Sequence, residues 1–331
     1  AQDGQALGQP FTVARAEMAF DQQVLNIRRA WLGDVATGHQ LQGSVNWQGA
    51  EPNLDLTLTS AGVRLEPVAA LLAPGTPLTG NLTQTVHVTG PLSNPAAVGK
   101  LRLTDGSAYK QLIARAQVDY TYGNGLLQLA NGQVVSLDTR LDFAGELAQS
   151  GACDLTLSAQ DIDLGRLLLP PEIGLTGIMQ FDGRLTGTLA QPVFDGRLQA
   201  KRLNLNGQDI NDVSSSVHHR AGITHVPAFM FQIGPGNYEL NASYYSKDDQ
   251  LIGRMAAVNG DLTSIFKIAK LQEQDVKGTL NGDVTFDLQP KNVSVAIDGN
   301  IKNGSWRGLP IQQVELSVAL KNRRWTINKF E

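Results

Sequence analysis

Apolar and polar residues alternate along most of this chain with a period of two. Leu137, Leu141, Phe143 and Leu147 share one phase, while Asp138, Arg140, Asp142 and Glu146 share the other. Leu280, Val284, Phe286 and Leu288 alternate in the same way with Asn281, Asp283, Thr285 and Asp287. Further runs place Leu54, Leu56 and Leu58 in one phase, then Cys153, Leu155 and Leu157, then Val293, Val295 and Ile297, then Val314, Leu316, Val318 and Leu320. Successive side chains of a strand point to opposite faces, so each run predicts a β-strand with one apolar and one polar face. The same phase assigns Leu82, Val86, Val88, Leu101 and Leu103 to the apolar face, and likewise Leu127, Leu129 and Leu141 with Phe143. It adds Met179, Phe181, Leu185 and Leu198, then Phe229, Phe231 and Leu240.

Turn signals fall between these runs. Asn-Gly occurs at 124–125, 131–132, 206–207, 259–260 and 303–304, and Asp-Gly at 105–106 and 298–299. Both residues of such pairs tolerate positive φ, so each predicts a hairpin. No long amphipathic pattern separates the strands, which favours an antiparallel meander over βαβ units.

The strand pattern repeats. Leu175–Leu198 reads LTGIMQFDGRLTGTLAQPVFDGRL, and Leu78–Leu101 reads LTGNLTQTVHVTGPLSNPAAVGKL. Gly80 maps to Gly177 and Gly278, Pro95 to Pro192, and Gly99 to Gly196 and Gly299. A strand and a short leucine-rich stretch precede each copy, for example LSAQDIDLGRLLLP. These offsets predict repeats of about 98 residues, with a short helix between units. The boundaries read as a trailing part of a repeat over 1–76, repeats over 77–174 and 175–275, and a leading part over 276–331.

A sheet with one apolar face must cover it, and the helical content is too small to do so. A sandwich or closed barrel for each unit is one solution. Because no low-complexity spacer interrupts the strands, the favoured reading is a long, twisted, mostly antiparallel sheet bent over on itself into a groove with an apolar interior. Inward glycines such as Gly145, Gly183 and Gly282 are expected to leave room and allow bending.

Composition trims the functional classes. The 331 residues carry a formal charge of −4, so nothing points to nucleic acid. No apolar run reaches the length of a membrane-spanning helix. The opening residues are not a signal peptide, and the chain stops inside a strand, which reads as a piece of a longer protein. The lone Cys153 excludes an internal disulfide and reads as a small buried hydrophobe.

The LTG-strand-GTLAQPVFDGRL pattern, with its strand and short helix, resembles the repeats of the TamB family, in the AsmA-like group of bacterial envelope proteins. The resemblance is clearest over residues 53–331. It implies a taco-like β-groove lined by the apolar residues named above, in the periplasm of a diderm bacterium. It implies a parent anchored in the inner membrane, phospholipid acyl chains as cargo between inner and outer membranes, and an outer-membrane Omp85-family partner of the TamA kind. It implies neither an enzyme nor a cofactor. Two rivals stand beside the conduit: a chaperone-like scaffold for outer-membrane barrel assembly, and a structural string of closed β domains.

Chemistry-bearing residues are sparse. His218 and His219 are neighbours on a strand and must face opposite ways, and a loop would be needed to bring His225 to His218. With no carboxylate at ligand spacing, a metal is not expected. His87, between Val86 and Val88, belongs to the solvated face. Asp161 and Asp163 read as a strand exit, with Asp163 capping the short helix after it. Phe229, Phe231 and Ile233 share a face and mark a narrowing of the groove. Trp31, Trp47, Trp306 and Trp325 read as core or groove-edge anchors.

Overall fold

The computed structural model describes residues 2–6, 9–34, 37–66, 77–108, 111–136, 139–166, 174–188, 191–268, 276–290, 292–321 and 324–331. Leu137, Asp138 and residues 67–76, 167–173 and 269–275 of the leucine-rich linkers lie outside them, and of Trp306 and Trp325 only the backbone is described. Within them the chain is all-β and divides into two compact units, 1–157 and 158–331.

The first unit holds β1 (Gln2–Ala6), β2 (Gln9–Asp21), β3 (Val24–Gly33), β4 (Gly38–Asn46), β5 (Asn53–Arg64), β6 (Leu78–Pro91), β7 (Ala96–Ala108), β8 (Gln111–Gly123), β9 (Leu126–Ser136) and β10 (Thr139–Ala148), with the start of β11 (Ala152–Asp163). From β1 to β10 every strand pairs antiparallel with its sequence neighbours. The second unit takes the end of β11, then β12 (Leu175–Thr188), β13 (Gln191–Leu205), β14 (Gln208–Arg220), β15 (Ile223–Ile233), β16 (Gly236–Tyr245) and β17 (Gln250–Asp261). Helix α1 (Leu262–Ile268) comes next, then β18 (Val276–Gln289), β19 (Asn292–Trp306), β20 (Leu309–Lys321) and β21 (Arg324–Phe330). The same antiparallel succession runs from β12 to β21. Among the described residues no ladder closes either unit into a barrel. The expected meander is therefore the fold.

The turn assignments need correction. Asn124-Gly125 and Asn206-Gly207 do form hairpins. Asp105, Asn131, Asn259 and Asn303 instead sit inside β7, β9, β17 and β19, with φ of 49°, 52°, 57° and 51°. Asp298-Gly299 lies in regular strand. The interior left-handed residues are β-bulges. Thr79 faces Ser107 while Asn81 faces Thr104, so β7 fits one extra residue, Asp105, against β6. Asn and Asp carry that role because they tolerate the left-handed conformation better than other side chains.

The three glycines that align between the expected copies share a backbone geometry. Gly80, Gly177 and Gly278 have φ of 140°, 126° and 146°, and each lies at a register shift. A Cβ on Gly80 would come 2.7 Å from Leu103 Cδ1 and 3.0 Å from Gly106 Cα. On Gly278 it would come 2.8 Å from Ile301 Cγ2 and 3.1 Å from Gly304 Cα. Only glycine fits a strand that passes so close to a bulged neighbour.

The fully buried core is small. In the second unit Leu203, Ile210, Val213, Ile233, Tyr238 and Ala257 form one cluster, and Ile265 of α1 packs against it. Helix α1 lies on β14, β17 and β18. It is held at its start by Asp261, whose Oδ2 accepts from Ser264 N (2.9 Å) and Oγ (2.7 Å). Asp163 Oδ1 accepts from Gly165 N at 3.0 Å in the turn that leaves β11, and the short helix expected after it lies outside the described residues. Cys153 is buried as a small hydrophobe.

Gly278→Ala is expected to lower stability by about 1–3 kcal/mol, because its backbone conformation is closed to a Cβ. Asn303→Gly should be near neutral, since glycine adopts the bulge freely. Urea unfolding midpoints of the two variants compare them directly.

Candidate functional site

The candidate site is the apolar face of each unit, assembled rung by rung across neighbouring strands. In the second unit Phe181, Leu198, Ser215, Phe229, Leu240, Met255, Val284, Ile297 and Val318 stand opposite one another in turn from β12 to β20. Ser215 is the sole polar member of that row. In the first unit Leu41, Leu58, Val86, Gly99, Tyr120, Leu129 and Gly145 do the same from β4 to β10. Every anticipated lining residue lies within the described strands. Leu82, Val86, Leu103 and Leu280 are fully buried. Val293, near the start of β19, is 39 % exposed, and all the others are half-buried.

The inward glycines do not leave room. A Cβ on Gly99 would lie 2.6 Å from Tyr120 Cζ, and one on Gly132 would lie 2.5 Å from Phe143 Cε2. Gly183 and Gly196 lie under the stacked pair Phe181 and Phe194, whose centroids are 5.4 Å apart. Gly253 lies under Phe286, and Gly236 and Gly260 under Tyr238. Gly145 and Gly282 are filled differently: there the neighbouring strand's backbone comes within 2.0 Å and 2.4 Å of where a Cβ would be. Each aromatic thus lies down on the sheet over a glycine instead of standing up into the space above it. The Phe229–Phe231 pair, 5.4 Å apart, joins Tyr238 and the core beneath α1.

The opposite face carries charge. Arg254 pairs with Asp283 across β17 and β18 (2.8 Å), Lys329 with Glu315 (2.6 Å), and Lys100 with Asp119 (3.5 Å). Arg202 pairs with Asp209 on β13 and β14. The hydrogen bond from Asn131, then Lys100, holds Asp119 below its ordinary value, and Arg202 does so for Asp209. These pairs are exposed, so each adds little. His87 faces solvent as expected, with Asp55 Oδ1 at 3.2 Å.

The histidines differ from their sequence reading in one respect. His218 and His219 do face opposite ways, but the β14–β15 hairpin sets His218 directly opposite His225. Asp195, opposite on β13, supplies a carboxylate 2.5 Å from His218 Nδ1. Sequence spacing cannot report what a cross-strand register brings together. Among the described residues, no three His, Cys, Asp or Glu side chains converge as metal ligands would.

One polar row was missed. His39, Ser60 and Gln84 stand opposite one another on β4, β5 and β6, within the apolar face. His39 Nδ1 is 2.8 Å from Ser60 Oγ, which also accepts from Gln84 Nε2 at 3.4 Å. Ser60 has no solvent exposure. The signal was present: Ser60 comes after Leu54, Leu56 and Leu58 in phase, and Gln84 lies between Leu82 and Val86. Trp31, Leu32, His39 and Leu41 help line an adjoining space of about 390 Å³. Trp47 is exposed, its ring edge-on to Phe20 at 6.2 Å.

Burial holds the His39 imidazole below its ordinary value. As pH falls below about 6.5, the unfolded chain takes up a proton that the folded chain resists, so His39 makes folding less favourable toward acid. His39→Leu is expected to lose less stability than the wild type between pH 7 and pH 5. Denaturation midpoints at both pH values measure the difference. No family model matches the sequence, and no curated protein or solved structure is significantly similar to it.

Proposed function

We propose that the chain is a non-enzymatic carrier of phospholipid acyl chains, part of a conduit that moves lipid between the inner and outer membranes of a diderm bacterium. The observation that carries this reading is the combination of phase and burial. An apolar row runs in register from Phe229 on β15 through Leu240, Met255 and Val284 to Ile297 on β19, yet each of these side chains is only half-buried. Interior residues of a filled sandwich would be fully covered. A face left half-covered can take an acyl chain, at about 0.8 kcal/mol per buried methylene. Sixteen carbons then gain on the order of 10 kcal/mol, comparable to what the chain leaves behind in a bilayer. The charged opposite face keeps such a sheet soluble. The resemblance to the envelope family supports a periplasmic setting, with an inner-membrane anchor and an Omp85-type partner belonging to the parent protein.

The dense cluster under α1 favours a second reading for that part of the second unit, a closed structural domain. The two readings differ in what they hold. Mass spectrometry of organic extracts from the purified chain should find co-purified phospholipid at near-stoichiometric amounts. Leu141→Asp and Phe286→Asp, each placing a charge on the apolar face, should lower that amount at least tenfold while circular dichroism stays β-type. Lipid-free wild-type protein would favour the closed domains.

A further inference from the structure

We propose that His39, Ser60 and Gln84 form a polar station that hydrogen-bonds the ester carbonyl of an acyl lipid lying on the first unit's apolar face. The proposal rests on the carrier reading above and adds a specificity to it. A polar row on an otherwise apolar face costs free energy unless its groups are satisfied. Ser60 is satisfied: its hydroxyl oxygen has His39 and Gln84 as partners, without solvent. His39 is only half satisfied. Its Nδ1 is engaged by Ser60, and no described residue bonds its Nε2. With Nδ1 accepting from the Ser60 hydroxyl, the neutral ring carries its proton on Nε2 and presents a donor.

The space beside it fits a chain with such a group. Ala14, Ala16 and Ala30 are small where their row neighbours Leu32, Leu41 and Leu58 are large, and together with His39 they border the 390 Å³ alcove. Charge decides between an ester and a carboxylate. The groups facing His39 from the packed strands are Ala14 and Ala16 on β2, Ala30 and Leu32 on β3, Leu41 on β4, Leu58 and Ser60 on β5, and Gln84 on β6. None is charged. Arg15, which also borders the alcove, is exposed and occupies the alternate phase of β2. A neutral donor among apolar rows suits a neutral acceptor, because an anion there would lose its hydration with no cation on the same face.

The experiment uses the whole chain with diphenylhexatriene as a fluorescent occupant. Methyl palmitate, heptadecane or palmitate at pH 8 then competes, each delivered from cyclodextrin. The wild type should prefer the ester over the alkane by about fivefold to tenfold, the size of one net hydrogen bond. In His39→Leu the preference should fall to about unity, and in His39→Gln, which keeps a donor, it should largely survive. The infrared carbonyl band of bound ¹³C-labelled methyl palmitate should sit at lower frequency in the wild type than in His39→Leu. An ester preference that His39→Leu leaves intact overturns the station while the carrier reading stands. Palmitate binding tighter than the ester, and indifferent to His39, overturns it in favour of Arg15. Failure of the wild type to bind diphenylhexatriene or any of the three chains overturns both station and carrier.

Discussion

Everything in this fold depends on the two-residue period of the pleat staying in step from one strand to the next. A slip of one residue would turn a strand's apolar set to water. The chain nonetheless takes extra residues, and it places them where they do least harm. Buried positions step by three at Ser60 to Val63, Ile210 to Val213 and Ala257 to Gly260. A left-handed residue fills each gap: Gly62, Asp212 and Asn259. Each bulge absorbs its extra residue, and the apolar rows resume in register on the far side. Bulges also sharpen the right-handed twist, so the devices that preserve phase curve the sheet as well.

The glycines and aromatics work as a second device. A ring standing up from a strand would partition the space above the sheet. Laid over a glycine on the neighbouring strand, as Tyr120 is over Gly99 and Phe286 over Gly253, the same ring thickens the sheet and leaves its surface even. The ring gains packing area, and the glycine's missing side chain is replaced by a neighbour's. The exception is instructive. Where Phe229, Phe231 and Tyr238 crowd together, the two phenylalanines pack against the same buried cluster as Ile265 of α1.

Strand identity and face were legible because alternation is a local signal: Met179, Phe181 and Leu185 are half-buried, and Gln180, Asp182 and Arg184 are exposed. The matched glycines Gly80, Gly177 and Gly278 were legible as positions of one kind, and all three have φ between 126° and 146°. The Asn-Gly and Asp-Gly pairs misled because one left-handed dipeptide serves both a hairpin and a bulge. The spacing of the flanking apolar positions separates the two. Leu103 and Gly106, like Ile301 and Gly304, are three apart and continue one strand. Cross-strand neighbours such as Asp195, His218 and His225 were not legible, since they depend on register over separations that no local pattern encodes.

The way this fold is stabilised bears on its capacity to bind. Among the described residues, the strands from β1 to β10 and from β12 to β21 pair with their sequence neighbours, and packing between elements that are not adjacent in a ladder gathers around α1. Stability then accrues as a sum over adjacent hairpins, as it does in repeat proteins, rather than from one central core. An ordinary domain cannot leave its apolar face half-covered, because covering that face is what holds it together. Here backbone ladders, bulge packing and flat ring–glycine contacts hold neighbouring strands to each other. The apolar face is therefore left half-covered by the fold itself. Within it, the His39–Ser60–Gln84 row is satisfied on its sheet side and open at His39 Nε2, so a hydrogen bond can be offered there without weakening the strands that present it.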